Sequence, residues 1–162
     1  MKKLKVLFLC TGNTARSVLG EYILGKRDSL RFESFSAGAS PKDGPHPMAI
    51  RVLREHFQID ASSARSKSWE EFKDGSFDLV ITVCDKARET CPVWPGQPIV
   101  AHWGSPDPAA FVGSEEETYR HFRDVALQIT RRIDLLIALP IERLSAYSVA
   151  GEQSVRDIGE VG

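Results

Sequence analysis

The sequence predicts an α/β fold, with one doubly wound parallel sheet in a single domain. Segments with strand patterns alternate along the chain with segments whose apolar residues recur at helical spacing. Alternation of this kind is typical of parallel sheets joined by right-handed helical crossovers. The 162 residues suffice for one domain with a sizeable core, and no internal repeat marks a second domain.

Charge, hydropathy and cysteine content indicate which partners and which compartment the protein has. With 21 basic and 22 acidic residues the formal net charge is -1, which favours neither a nucleic acid nor a membrane surface as partner. No apolar run suits a bilayer span or a signal peptide. Three cysteines fit reactive thiols better than a secreted disulfide framework. We therefore expect a cytoplasmic monomer.

The first predicted strand, residues 5–9, leads into the most informative stretch of the chain. Its unbroken apolar character suits a strand covered on both faces. A loop with Gly12 and Asn13 follows, and residues 18–27 then have helical spacing. Successive N–H groups of a loop that curls into a helix converge on one point, where the helix dipole adds positive potential. The predicted oxyanion-binding residues are Thr11, Gly12, Asn13, Thr14, Ala15, Arg16 and Ser17.

Cys10 is the predicted nucleophile of this loop. Positive potential favours a thiolate, and the Ser17 hydroxyl can donate a hydrogen bond to it. Arg16 can bind a tetrahedral oxyanion through two parallel hydrogen bonds. The alternative is that Cys10 only ends a buried strand, since free cysteines are often buried. The combination of strand, loop and arginine favours the nucleophile.

The next segments are predicted to form a second strand, a loop and a second helix. Residues 31–37 alternate as a second strand. Residues 40–47 are dense in turn formers, and Pro47 suits the first turn of a helix that runs to about residue 57. His46 and His56 are assigned no function, because no partner cluster stands near either in sequence.

The second half of the chain follows the same alternation. The predicted elements are a short helix at 69–72, strands at 77–83 and 99–102, a stiff loop at 103–110 and a helix at 115–139. Pro140 ends that helix. The predicted domain therefore spans residues 1–139, followed by a loosely ordered extension at 140–162.

Two further cysteines follow the third strand. Cys84 falls at the carboxyl end of the sheet and should share a crevice with Cys10, and the charged segment 84–91 should expose both of its thiols. If that segment is helical, its ends lie about 10.5 Å apart. A disulfide tolerates no more than about 7 Å between α carbons. Bonding Cys84 to Cys91 therefore requires unwinding, which makes the segment a candidate redox switch.

Two structural alternatives apply to these cysteines. A zinc site normally uses closer cysteine pairs and four ligands, whereas only His102 stands nearby. Both thiols could instead be buried and inert, although the charged segment around them argues against burial.

The cysteine loop resembles that of the low-molecular-weight protein tyrosine phosphatases and the thioredoxin-coupled arsenate reductases, which share one fold. The resemblance runs from about residue 4 to residue 139. It is carried by the loop 10–17, Cys84, Cys91, His102-Trp103-Gly104 and Asp107-Pro108-Ala109. It implies a three-layer α/β/α domain whose four-stranded parallel sheet has the flavodoxin-like order 2-1-3-4.

The resemblance to the reductases implies a relay of three thiols. Cys10 would attack arsenate held by Arg16 and the loop amides, while Asp107 protonates the departing oxygen. Cys84 would then attack Cys10 and release arsenite, and Cys91 would attack Cys84. Thioredoxin, or a glutaredoxin, would reduce the final disulfide. No bound cofactor is implied.

The resemblance also raises the question of a cation. Some of these reductases bind potassium through a group that corresponds to Asn13, Glu21 and Ser36. In this chain Lys67 falls near the matching place, so that its ammonium could replace the ion. No metal is therefore predicted.

Two other functions compete with arsenate reduction. A phosphatase would use Cys10 and Asp107, but phosphatases of this family usually place aromatic residues after the Asp-Pro pair, where this chain has Ala109 and Ala110. That difference favours a small oxyanion, arsenate or phosphate. A noncatalytic anion-binding or redox-sensing module could dispense with an acid, and the presence of Asp107 counts against it.

Overall fold

The computed structural model describes residues 2–92, 94–144 and 149–161. Four parallel strands form one sheet in the order β2-β1-β3-β4, which confirms the predicted fold. The strands are β1 (Leu4–Cys10), β2 (Phe32–Gly38), β3 (Leu79–Thr82) and β4 (Ile99–His102). Every residue of β3 and all but one of β1 are buried, because helices and loops cover both faces of the sheet.

Helical elements are present at all four positions that the sequence predicts, and the segment after Cys84, left open above, is helical too. They are α1 (Arg16–Arg27), α2 (Pro47–Phe57), α3 (Asp85–Thr90), α4 (Glu115–Ile137), α5 (Ile141–Leu144) and α6 (Val149–Ile158), with 3-10 turns at Trp69–Phe72 and Pro108–Ala110. Helices α1, α2 and α4 pack on one another, and α6 packs on β4. None of the helices in the described part of the chain is both long and apolar enough for a bilayer crossing.

The C-terminal segment differs from the loosely ordered extension that the sequence predicts. Residues 145–148 and 162 lie outside the described residues, but 149–158 form α6. Its Val155 and Ile158 are buried, and the indole N–H of Trp103 donates to the Val155 carbonyl at 2.9 Å. The physical reason is that β4 is an edge strand, and α6 covers it. Two apolar residues three positions apart were too weak a signal to predict this packing.

Candidate active site

The thiol of Cys10 lies at the end of β1, inside the predicted loop. Cys10 is 3% exposed. Its Sγ forms a 2.8 Å hydrogen bond with the Ser17 hydroxyl and accepts the backbone N–H of Asn13 at 3.2 Å. The Ser17 contact is the one that the sequence predicts. The Cys10 sulfur therefore has an amide N–H and a hydroxyl within hydrogen-bond distance.

The carbonyl groups of this loop are bonded away from its centre. The Ser66 hydroxyl donates to the Asn13 carbonyl at 2.6 Å. The backbone N–H groups of Ala39, Ser40, Lys42 and His46 donate to the carbonyls of Cys10, Thr11, Gly12 and Thr14, respectively. Because each peptide unit is planar and trans, a carbonyl turned outward leaves its N–H turned toward the inside of the loop. The chain therefore presents a concave set of donors to an oxyanion.

Two residues allow the loop to close so tightly. Asn13 has a φ of 51°, a left-handed conformation that asparagine tolerates better than most residues. Gly38, at the end of β2, passes directly beside the loop. A β carbon at Gly38 would lie 2.5 Å from the Thr11 carbonyl oxygen and 2.9 Å from the Asn13 nitrogen. Any side chain at that position would push the loop out of shape.

Helix α1 directs its N-terminus at the same point. It begins at Arg16, two residues earlier than predicted, and no side chain caps it. By contrast, His46 caps α2 and Ser114 caps α4. Uncapped N–H groups in the first turn of a helix are free to bind an anion, and the helix dipole favours it.

A cavity of about 270 Å³ opens over Cys10. The loop forms its floor, and Arg16, Lys42, Asp107 and Ala109 line its sides. The Arg16 guanidinium donates to the Ser105 carbonyl at 3.0 Å and lies 3.8 Å from the Asp107 carboxylate. Nucleophile, loop amides, arginine and carboxylate therefore surround one space that is large enough for a tetrahedral oxyanion.

Lys42 is a residue of this cavity that sequence reasoning missed. The turn-forming composition around it predicts a loop, and the structure shows that this loop lies against the cysteine loop. The Lys42 N–H donates to the Gly12 carbonyl at 3.1 Å, and its side chain lines the cavity. A cation that follows the carboxyl end of β2 was the available signal, since ligands bind at that edge of parallel sheets.

His46 packs beside the cavity in a structural role. Its Nδ1 accepts the N–H of Met48, and its ring lies 4.6 Å from the ring of Phe122, centroid to centroid. Burial lowers the pKa of His46, with Asp107 acting in the opposite direction. An acceptor Nδ1 requires an imidazole that is deprotonated on that nitrogen. His46 therefore anchors the start of α2.

The other two thiols lie at opposite ends of α3. Cys84 Sγ forms a 3.2 Å hydrogen bond with the Thr11 hydroxyl and accepts the N–H of Ala87 at 3.4 Å. Cys91 follows the helix, where its Sγ accepts the indole N–H of Trp94 at 3.4 Å. Cys84 is thus in contact with the cysteine loop, as predicted, whereas Cys91 is held apart from it. All three cysteines are free thiols.

The predicted exposure of both thiols is wrong for Cys84, which is 7% exposed. It is buried because it is the N-cap of α3 and packs against the cysteine loop. The helix itself has only Ala87 buried and is six residues long. Short isolated helices have little intrinsic stability, so α3 is held mainly by its ends.

Lys67 occupies the position in which the sequence analysis placed a built-in cation. Its ammonium lies 3.7 Å from the Glu21 carboxylate and donates to the Ser36 hydroxyl at 3.4 Å, while its backbone N–H donates to the Asn13 side chain at 2.9 Å. Burial raises the pKa of Glu21 and lowers the pKa of Lys67. The Asn13 amide in turn donates to Ser17 at 2.8 Å.

These contacts form a continuous path from a partly buried ion pair to the nucleophile. The amide of Asn13 joins Ser36 to Ser17, and Ser17 bonds to Cys10. Lys67 thus contacts Asn13, Glu21 and Ser36, the three residues that the resemblance assigns to a potassium site. Among the described residues, no cluster of three or more His, Cys, Asp or Glu side chains could hold a metal ion.

The sheet order and the site together define a class of protein: a flavodoxin-like domain whose first strand and helix enclose a cysteine in an oxyanion loop. The family model described as low molecular weight phosphotyrosine protein phosphatase matches residues 5–148. The chain belongs to this family.

The family model is named for a phosphatase, whereas two similar proteins are named arsenate reductase. The arsenate reductase of Halalkalibacterium halodurans is 35% identical over 133 residues, which cover 82% of this chain and 94% of that protein. That of Bacillus licheniformis is 37% identical over 133 residues, with the same coverage of the two chains.

Solved structures include both activities. An arsenate reductase in the phosphate binding state matches with a TM-score of 0.71 and 30% identity, over 83% of this chain and 97% of that one. A low molecular weight protein tyrosine phosphatase from T. tengcongensis matches with a TM-score of 0.70 and 26% identity, over 84% and 99%. A thioredoxin-dependent arsenate reductase of Corynebacterium glutamicum matches with a TM-score of 0.58 and 25% identity, over 82% and 63%.

The substitution Lys67→Met tests the built-in cation. It leaves the partly buried Glu21 carboxylate without its cationic partner, so the free energy of unfolding should fall by about 1 kcal/mol. Potassium chloride should restore part of that loss in urea unfolding, whereas choline chloride at equal ionic strength should not. For the parent protein and for the exposed control Lys73→Met, the free energy of unfolding should be the same in potassium chloride as in choline chloride. Potassium-dependent stability of the parent would contradict this assignment.

The substitution Lys42→Met tests the second cation of the cavity. Loss of one positive charge beside a bound oxyanion should weaken binding of inorganic phosphate by about fivefold, because charge pairs near a surface contribute on the order of 1 kcal/mol. Calorimetric titration measures this directly. Lys26→Met, at the far end of α1, should bind phosphate like the parent, and an unchanged affinity in Lys42→Met would exclude Lys42 from the site.

Proposed function

We propose that the protein is an arsenate reductase that uses Cys10, Cys84 and Cys91 in turn. The observation that carries this proposal is the 3.2 Å contact between Cys84 Sγ and the Thr11 hydroxyl. It holds a second thiol against the oxyanion loop, where a phosphatase needs only one. The relatives named arsenate reductase, at 35% and 37% identity, support the same conclusion.

The first step is attack by Cys10 on the arsenic atom. The loop amides and Arg16 hold the arsenate oxygens, and Lys42 adds a second positive charge at the cavity wall. Asp107 acts as the general acid that gives a proton to the departing hydroxyl oxygen, which leaves as water. A covalent bond between Cys10 sulfur and pentavalent arsenic results.

The second step transfers two electrons to arsenic. The Cys84 thiolate attacks the Cys10 sulfur, and the sulfur–arsenic bond breaks with its electron pair moving to arsenic. Trivalent arsenite leaves, and a Cys10–Cys84 disulfide remains. The contact of Cys84 with Thr11 supports this order, because Thr11 is the residue next to Cys10.

The third step carries the disulfide out of the site. Cys91 attacks Cys84, which releases the Cys10 thiolate and forms a Cys84–Cys91 disulfide. Because about 10.5 Å separates the ends of a seven-residue helical step, α3 must unwind before these sulfurs can bond. The small buried surface of α3 makes that unwinding inexpensive.

An external dithiol completes the cycle by reducing the Cys84–Cys91 disulfide. Thioredoxin is proposed as that reductant, with a glutaredoxin as the alternative. The thioredoxin-dependent relative from Corynebacterium glutamicum supports the former. The steps require one chain, free thiols and no bound cofactor, which suits a monomer in the reducing cytoplasm.

Phosphatase activity is the second candidate function, and the structural similarity to a tyrosine phosphatase favours it. Ala109 rather than an aromatic side chain lines the cavity beside Asp107. The chain therefore offers little surface for stacking with a phosphotyrosine ring. We expect slow hydrolysis of small phosphate esters as a side activity of the same first step.

The substitution Cys91→Ala separates the two functions. Arsenate-dependent NADPH consumption with thioredoxin and thioredoxin reductase should stop after one turnover, because Cys10 stays bonded to Cys84. Hydrolysis of p-nitrophenyl phosphate should stay at the parental rate when a reductant is present. Thr90→Ser, one position away, should leave both rates unchanged. Equal arsenate reduction by Cys91→Ala and the parent would remove Cys91 from the mechanism.

The third step should accelerate as the pH rises. Burial raises the pKa of the Cys91 thiol, although the hydrogen bond from Trp94 opposes this shift. Near pH 7 the thiolate is therefore the minor form, and its fraction increases by close to tenfold per pH unit. Stopped-flow tryptophan fluorescence should follow this step through Trp94, as a phase that is absent in Cys91→Ser. A rate for that phase that stays constant between pH 7 and pH 9 would contradict the prediction.

A further inference from the structure

Arg132 is a buried arginine that none of the steps above uses. It lies on α4 and is 3% exposed. Its guanidinium donates to the carbonyl of Gly104 at 2.9 Å, to that of Gly159 at 3.1 Å and to that of Val161 at 3.0 Å. Desolvation by burial lowers its pKa. Burying a charged group costs desolvation free energy, so the hydrogen bonds of the Arg132 guanidinium must offset that free energy.

Those contacts join the C-terminal segment to the loop after β4. Gly159 and Val161 belong to the end of the chain, whereas Gly104 precedes Ser105, whose hydroxyl lies 3.4 Å from the same guanidinium. The fork of an arginine is planar and rigid, so it fixes the relative position of all the groups that it binds.

The loop held in this way carries two groups of the active site. The carbonyl of Ser105 accepts a hydrogen bond from the Arg16 guanidinium at 3.0 Å. Asp107 follows two residues later and lies 3.8 Å from Arg16. A shift of the loop would therefore turn Arg16 and move the carboxylate at the same time.

The C-terminal segment supports the loop from the outside with close contacts. Trp103 is 1% exposed, and its indole N–H donates to the Val155 carbonyl. Gly159 lies against the backbone of β4, and a β carbon there would overlap the carbonyl oxygen of His102. The segment 149–161 is thus fitted to the end of the sheet rather than loosely attached.

We propose that Arg132 and the segment 149–161 are positioning elements of the oxyanion site, which hold the loop 103–105 so that Arg16 faces the bound oxyanion. They act through Arg16 and touch no substrate. The family match ends at residue 148, and α6 begins at residue 149, so the segment 149–161 lies outside the region matched to the family, whereas Arg132 lies within it. As a statement about catalysis, the inference rests on the proposed function.

The physical basis is the precision that bidentate binding demands. A guanidinium binds an oxyanion well only when its plane and two N–H groups face the oxygens. The Ser105 carbonyl occupies one further N–H and so fixes the rotation of the Arg16 head group. Misplacement of a catalytic group by about 1 Å can cost on the order of 100-fold in rate, and a partial loss of this support should cost less.

The test uses Gly159→Ala and Arg132→Lys in the full chain. Phosphate binding is read from the protection of Cys10 against iodoacetamide, followed by mass spectrometry of the Cys10 peptide. Both variants should bind inorganic phosphate about tenfold more weakly. Their KM for arsenate should rise in proportion, and kcat should fall as well, because the Asp107 carboxylate moves with the loop.

A stability control separates positioning from general weakening of the fold. Phe32→Leu alters a buried residue at the opposite end of the sheet and should lower the melting temperature without changing phosphate protection. Parental phosphate protection in both Gly159→Ala and Arg132→Lys would overturn the inference.

The sharpest readout is coupling to Arg16. If the C-terminal segment acts through Arg16, then adding Gly159→Ala to Arg16→Lys should weaken phosphate binding by less than twofold beyond Arg16→Lys alone. A full tenfold further loss in the double variant would show an independent effect and contradict the inference. Should Gly159→Ala fail to fold, Arg132→Lys supplies the same comparison.

Phosphate protection also keeps this inference distinct from the proposed function. It requires the oxyanion loop but none of the later thiol steps. A parent protein that fails to reduce arsenate would refute the proposed function, while the coupling between Gly159 and Arg16 in phosphate binding would still decide the positioning role.

Discussion

The outward bonding of the carbonyl groups between Cys10 and Thr14 is the constraint on which the site depends. Main-chain N–H groups of the segment after β2 and the Ser66 hydroxyl accomplish it, so the donors of the loop are left for a ligand. The sheet order makes this possible, because β2 lies next to β1 and brings that segment alongside. Gly38 permits the approach at the point of closest contact. The strand order of the sheet therefore determines the shape of the oxyanion loop.

The three cysteine thiols differ in burial and in hydrogen-bond partners, and these differences suit them to different steps of the proposed reaction. Cys10 is buried in the oxyanion loop, where its sulfur hydrogen-bonds with the Ser17 hydroxyl and accepts the Asn13 N–H, which suits a nucleophile that attacks a bound oxyanion. Cys84 caps α3 and touches the same loop, which suits a second nucleophile. Cys91 is half-buried beside Trp94 at the other end of α3, so the proposed bond between Cys91 and Cys84 requires α3 to rearrange. The proposed order of attack follows from these environments.

Hydrophobic spacing and turn-forming residues were enough to predict the strands, helices and loops whose structure depends on neighbouring residues in the sequence. The apolar run before Cys10, the helical spacing in α4 and the turn formers before Pro47 fixed those elements to within a few residues. The loop amides and Arg16 followed from the same stretch. The wall of the cavity at Lys42 and the packing of α6 could not be found in this way. They depend on contacts between distant segments, such as Arg132 with Gly159, that no spacing in the sequence encodes.

A single mass measurement tests the central claim, that electrons reach arsenic from Cys10 and Cys84. The Cys91→Ala protein, fully reduced and mixed with one equivalent of arsenate without thioredoxin, should lose about 2 Da as two thiols become one disulfide. Peptide mapping under nonreducing conditions should join the peptides that contain Cys10 and Cys84, and arsenite should appear in equal amount. An unchanged mass with Cys10 and Cys84 still free, or a disulfide without arsenite, would contradict the account.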